Sequence, residues 1–323
     1  MIARTPAAQH ALAVGIMGLG LIVALIRGCS SRNLLLDTGD LVTTISFLAF
    51  VAAAAWCLFK RGYARLASAI LAMTALFTII LLILLEIALL ATHGQPFVDA
   101  LLARADAVIA PWLDWPALAL WFSRHPITAR LCEWVYHSLA WQPFLLIAVF
   151  CGSRRPQESW RFIGMWALSL MICAMVFALY PGVGAYAFHH VNASLVSATS
   201  ATVSSDQLRL LAKLRAPSLT MIGNDCLGGM ITFPSFHAAA SVLLARGYWR
   251  IRGLRWPFAA LNLTMLAAAI PMGGHYVADL LAGVAVAAFA IAVFDSPPLR
   301  LDALARRAAQ YGKLRAGDLL SAR

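Results

Sequence analysis

Long apolar runs, broken by short clusters of arginine, glycine and proline, dominate the pattern along this chain. Pro6–Ile26, Leu41–Phe59, Leu66–Ala91, Trp134–Cys151, Phe162–Tyr180, Pro234–Trp249, Trp256–Met272 and Tyr276–Phe294 are uncharged or nearly so. At 1.5 Å rise per residue, each predicts a helix that crosses about 30 Å of hydrocarbon, the sixth and seventh at the short limit. A β-barrel would need alternating strands of about ten residues, so the solid runs exclude it. The expected fold class is all-α: a polytopic helical membrane protein of about eight transmembrane helices.

Two polar stretches between these runs are long. In the first, Thr92 to Glu133, Phe97, Leu101, Val108 and Trp112 alternate with Asp99, Arg104 and Asp106. That spacing predicts an amphipathic helix lying in the membrane interface and ending near Pro111 and the Asp114-Trp115-Pro116 turn. The second runs from Pro181 to Phe233, and a structureless loop of that length is uncommon unless it has a function.

Composition supports the membrane reading. Of 323 residues, 62% are apolar and only 12% charged, about half the charged share of a soluble domain. The net charge of +11 would point to nucleic acid in a soluble protein. Here it follows from basic residues held on the cytoplasmic side, so no nucleic-acid partner is expected. With the N-terminus inside, the short inner connections hold Lys60, Arg61, Arg65, Arg154, Arg155, Arg161, Arg246, Arg250, Arg252 and Arg255, and the C-terminal tail is basic too. Both termini are therefore expected in the cytoplasm. Trp112, Trp115, Trp121 and Trp134 fall near the outer boundary, and Trp160, Trp249 and Trp256 near the inner one. The first run lacks a small-x-small cleavage site, and Arg27 spoils lipoprotein processing at Cys29, so it reads as a retained helix. The six cysteines show no paired spacing and are expected to pack as small apolar residues, not to bind metal.

Chemistry concentrates in two segments, Thr232-Phe233-Pro234-Ser235-Phe236-His237 and Gly273-Gly274-His275-Tyr276-Val277-Ala278-Asp279. The intervening hairpin returns both to the same membrane face. Asp279 follows His275 by four residues, one helical turn on the same side. Polar groups at the bilayer are costly and tend to be functional. A neutral imidazole on His275 can attack phosphorus while Asp279 accepts its other N–H. His237 can protonate the departing oxygen. Pro234 suits the first turn of a helix whose free N–H groups attract an anion, Ser235 adds a hydroxyl donor, and Gly273-Gly274 lets the backbone pass close to a bound group.

At these residues the chain resembles the type 2 phosphatidic acid phosphatase superfamily, whose usual pattern is Pro-Ser-Gly-His and then Ser-Arg, five residues, His, three residues, Asp. Phe236 replaces the glycine, and Ala268-Ala269 stand where Ser-Arg would be. These departures are similar to the inositolphosphorylceramide synthase branch and its bacterial relatives, which carry Phe-Pro-Ser-x-His and His-Tyr-x-x-Asp. The resemblance covers about residues 130–295. It implies a six-helix phosphatase-like core within 66–296, preceded by two additional helices in 1–65 and followed by a basic cytoplasmic tail, 297–323. It further implies His275 as nucleophile, His237 as general acid and Asp279 as orienting carboxylate, with no metal or cofactor. The substrate would be a membrane lipid carrying phosphate, met at the periplasmic face of a bacterial inner membrane.

The family's Lys, six residues, Arg-Pro motif is absent, and Arg155-Pro156 lies on the wrong face. Another cation must neutralise the phosphate. Arg215 is the first candidate, since Leu214-Arg215 is similar to an arginine of bacterial members, and Lys213 is the second; Ser235, Phe236 and Gly274 complete the phosphate site. Tyr180 and Pro181 look like the branch's aromatic-Pro loop, and Tyr136, His137, Gln142 and Tyr276 are further candidates for the pocket wall. His189 and His190 are expected to face solvent. Glu86, deep in the third run, reads either as a protonated acid bonded to a neighbouring helix or as a proton relay. Lipid phosphate hydrolysis is the first reading, and head-group transfer to a lipid alcohol the second. A transporter or structural role is the third, although a transporter should show repeated halves and none is visible.

Overall fold

The computed structural model describes residues 6–192, 194–195 and 203–295. The basic tail 297–323 expected from the sequence lies outside these residues. The apolar runs become helices, one of them divided in two. In chain order they are α1 (Pro6–Arg32), α2 (Thr38–Lys60), α3 (Ala64–Ala91), α4 (Asp99–Ile109), α5 (Trp115–Arg124), α6 (Pro126–His137), α7 (Gln142–Gly152), α8 (Pro156–Leu179), α9 (Ala185–Phe188), α10 (Val203–Leu214), α11 (Phe236–Trp249), α12 (Arg255–Gly273) and α13 (Val277–Asp295). Two-residue strands β1 (Leu35–Leu36) and β2 (Met221–Ile222) pair in parallel. The chain is an all-α polytopic membrane protein.

Among the described residues, α1, α2, α3, α8, α12 and α13 are long and apolar enough to cross a membrane. The expected continuous span Trp134–Cys151 is instead two helices, α6 and α7, bent by 52° about Trp141. Pro143 explains the break: it has no N–H to give to Leu139, and it disfavours helical backbone at the residue before it. The expected sixth span shortens to the 14 residues of α11, because Ser235 caps the helix and Pro234 precedes the cap. Pro234 is thus outside the first helical turn where the sequence reading put it.

The main apolar core lies among α1, α3, α7, α8, α11 and α13, around Leu76, Ile83, Ile147, Phe162, Trp166 and Leu243. Helix α1 packs on α8 and α3, and α2 packs on α3. The outward faces remain apolar: Leu19, Phe50 and Trp56 are more than half exposed, and Ala55 is the buried residue of α2. Such a surface suits hydrocarbon and would aggregate in water. In lipid, lateral packing must come from shape and small residues, not from apolar burial. A Cβ at Gly283 would lie 2.1 Å from the Ser235 carbonyl oxygen, so glycine lets α13 close onto the start of α11.

The long polar stretches are folded. Helix α10, β2 and the segments around them cover one end of the bundle. The turn between α1 and α2 is stitched to them by β1–β2 and by the Asn224 N–H donating to Asp40 at 2.8 Å.

Candidate active site

Helices α11 and α12 form the hairpin anticipated from sequence, and α13 follows after a two-residue turn and Tyr276. Gly274 ends α12 in the left-handed region, φ 62° and ψ 30°, a conformation glycine adopts without strain. The chain then places His275 and Asp279 one turn apart. His275 Nδ1–H donates to Asp279 Oδ2 at 3.3 Å, and the same oxygen accepts the Tyr276 N–H at 3.0 Å. Asp279 is fully buried and His275 nearly so. With Nδ1 carrying the proton, the Nε2 lone pair is left for another partner.

His237 begins α11 across from this pair, its ring centroid 6.3 Å from that of His275. It stacks face to face on Tyr136 of α6, centroids 3.8 Å apart and planes within 12°. The Ser235 N–H donates to the Asp279 carbonyl at 3.0 Å, which ties the starts of α11 and α13 together. Gly273 completes the corner: a Cβ there would lie 2.6 Å from His275 Cδ2 and 3.0 Å from the Tyr136 hydroxyl.

Both histidines open onto one cavity of about 950 Å³. Tyr136, His137, Phe236 and Gly273 share its polar end with them. From there Phe77, Ile80 and Leu84 of α3, Phe144 of α7 and Trp166 and Leu170 of α8 form an apolar trough. Arg209, Lys213 and Asp225, from the folded second stretch, also line it. Lys213 pairs with Asp225.

Several residues expected at the pocket stand elsewhere. Arg215 lies outside the lining; its guanidinium donates to the Gln95 carbonyl at 3.1 Å and covers the Phe97 ring. Ser235 is buried, and its hydroxyl accepts the Ala238 N–H, so it caps α11 instead of facing the cavity. Gly274 turns its carbonyl to the Ala185 N–H at 2.9 Å. Gln142 is sealed in a packing network with Asn262 and Ser138. Tyr276 is buried against Trp115 and Tyr186, Tyr180 is more than half exposed at the end of α8, and the Pro181 carbonyl accepts the Val98 N–H. His189 and His190 are both exposed, as expected, and lie outside the lining, His189 with its ring against Trp115. Glu86 is buried, its Oε1 without a hydrogen-bond partner among the described residues.

The structure adds a device the sequence reading passed over. Helix α4 is amphipathic, as expected, but its carboxylates face inward. Leu101 and Val108 are exposed, whereas Asp99 and Asp106 are at most 5% exposed. Asp106 accepts the N–H groups of Val277 and Ala278 at 2.8 and 2.9 Å, and so caps the helix that carries Asp279. Asp99 accepts from Val183 and Gly184 at 2.9 and 3.0 Å and from the Tyr276 hydroxyl at 3.4 Å. Burial pushes the Asp99 carboxyl above the ordinary carboxylate range, and these hydrogen bonds oppose the rise. The signal was present: acids seven residues apart share a helix face, and no base accompanies them there.

A sequence model described as the PAP2 superfamily matches residues 101–293, from α4 through nearly all of α13. No curated protein and no solved structure matches the chain.

Proposed function

Because the chain belongs to the PAP2 superfamily, whose chemistry is phosphatase-type phosphoryl transfer, we propose that it hydrolyses a lipid phosphate through a phosphohistidine on His275. The observation that carries this reading is the buried His275–Asp279 pair facing His237 across the polar end of a cavity whose remaining wall is largely apolar. A lipid phosphate has that same division: a charged head for the histidines and a chain for the trough between α3, α7 and α8.

In the first step His275 Nε2 attacks phosphorus, the N–P bond forms, and the P–O bond to the lipid breaks. His237 gives its proton to the departing oxygen, while Asp279 stabilises the charge that develops on the His275 imidazole. Both imidazoles line the same cavity with their centroids 6.3 Å apart, so a single phosphoryl group can meet them both. In the second step His237 takes a proton from water, the water oxygen attacks phosphorus, and the N–P bond breaks to release phosphate. Arg209 lines the cavity and supplies the positive charge that the missing lysine-arginine motif would otherwise provide, whereas Lys213 beside it is already paired with Asp225. No metal or cofactor enters these steps. The basic residues around Arg154–Arg155 and Arg250–Arg255 support a reading in which the opposite end of the bundle faces the cytoplasm and the site opens on the non-cytoplasmic face, periplasmic in a bacterial inner membrane.

Head-group transfer to a lipid alcohol is the second reading. The Phe-Pro-Ser-Phe-His and His-Tyr-x-x-Asp segments favour it, since they are similar to the inositolphosphorylceramide synthase branch. Both readings share the phosphohistidine and differ in the acceptor. Purified enzyme is given a labelled lipid phosphate, or a labelled phosphodiester, with and without added lipid alcohols. Inorganic phosphate released from the monoester without any alcohol is the expected result. Label that moves only onto an added alcohol would overturn hydrolysis and leave the transferase.

A further inference from the structure

A second cavity, of about 580 Å³, lies at the other end of the bundle. It sits beside the start of α12, whereas the histidines sit at that helix's far end, roughly 27 Å away at 1.5 Å per residue. Arg155, Arg250, Arg252 and Arg255 line it together with Ser153, and no acidic residue does. Neighbouring arginines are neutralised: Arg161 and Arg246 both bind Asp295 at 2.5 Å, and Arg250 binds Glu158 at 2.6 Å. Arg155, Arg252 and Arg255 have no carboxylate partner among the described residues. The Arg255 Nε is buried without any hydrogen-bond acceptor.

Two helix starts flank the same cavity. Helix α8 begins after Arg155 and α12 after Leu254, and neither has a side-chain cap; the Glu158 and Arg255 N–H groups already bond the Arg155 and Ile251 carbonyls, and Pro156 and Pro257 have none, so each helix offers the cavity chiefly the positive end of its dipole. Converging guanidinium groups and two positive helix ends repel one another until an anion enters. The depth identifies the source of that anion. Trp249 and Trp256 stand at the cavity's edge, edge-to-face at 4.9 Å and 45% and 69% exposed, and Arg255 covers the Trp249 ring. Exposed tryptophans mark the headgroup level of a bilayer.

We propose that this arginine-lined cavity is a binding site for the phosphate headgroup of an anionic phospholipid, drawn from the leaflet opposite the catalytic histidines. The phosphodiester accepts charge-assisted bonds from Arg252 and Arg255, while its acyl chains lie along the outer surface beside Trp256. The site is independent of the hydrolase reading, because none of its residues lines the catalytic cavity.

The test counts lipids. The full chain is reconstituted in nanodiscs of phosphatidylcholine with and without phosphatidylglycerol, released, and weighed by native mass spectrometry. The wild type should keep one more phosphatidylglycerol than Arg252→Gln/Arg255→Gln, and no extra phosphatidylcholine. Any lipid held at the catalytic cavity is common to both proteins and cancels. The single variant Arg252→Gln, at an exposed position where loss of the side chain leaves the fold intact, should bind phosphatidylglycerol roughly tenfold more weakly. Equal retention by wild type and both variants would overturn the site. Displacement of the lipid by millimolar inorganic phosphate would overturn the lipid as its occupant.

Discussion

His275, His237 and Asp279, the three side chains of the proposed mechanism, differ in their surroundings. The proposed nucleophile is held by a buried carboxylate, whereas the proposed acid is held by an aromatic face. His275→Ala should therefore abolish turnover. His237→Ala should cost about 10²–10⁴-fold with an alkyl leaving group and much less with a nitrophenyl ester, because a good leaving group needs no proton. Steady-state rates on the two substrates check this, and equal losses on both would remove His237 as the acid. Tyr136 makes a sharper case, since its ring covers His237 at 3.8 Å. Tyr136→Phe should keep most of the activity and Tyr136→Leu should not, for the face of the ring and not its hydroxyl orients the imidazole. Among the cations, Arg209→Ala should lower kcat/KM more than Arg215→Ala, since Arg209 lines the cavity while Arg215 binds Gln95 and Phe97. Parallel kinetics on the two variants decide the order.

At the scale of elements, the unexpected contributor is α4. Its Leu101 and Val108 side chains are exposed, and its two carboxylates accept backbone N–H groups at Val183–Gly184 and at the start of α13, beside the His275 turn. Helix capping by a carboxylate is worth about 0.5–2 kcal/mol. Asp106→Ala should thus lower the thermal midpoint, and it should lower kcat by more than the lost stability explains, because the first turn of α13 carries Asp279. Asp106→Asn keeps one acceptor and should restore part of both. A kcat that stays at the wild-type value while the midpoint falls would make Asp106 a cap and nothing more. At the opposite end, Asp295 joins Arg161 of α8 to Arg246 of α11, so the helices that frame the cavity are fastened away from the chemistry.

Among the described residues the two ends of the bundle are chemically distinct: the paired histidines and a folded cover at one, a cluster of arginines at the other. The cover and the arginine end should lie on opposite sides of the membrane. In a background without the exposed Cys57, Ser218→Cys should react with an impermeant thiol reagent from outside intact cells, and Gly253→Cys should react only after lysis. The reverse labelling would invert the topology. Much of this architecture was legible along the chain. Hydropathy alone located every spanning helix, the bounds of α12 and α13 to within one residue, because partition into hydrocarbon depends on the local run of side chains. The His275–Asp279 pair was legible too, since a spacing of four in a helix imposes the contact. Three features were decided only in three dimensions: the inward turn of Asp99 and Asp106, the stacking of Tyr136 on His237, and the choice of Arg209 over Arg215 beside the cavity. Each joins segments far apart in sequence. Among helices that lie equally well against lipid or against one another, hydropathy says nothing of which face meets which; the shapes of small residues and the demand of buried N–H groups for acceptors decide it.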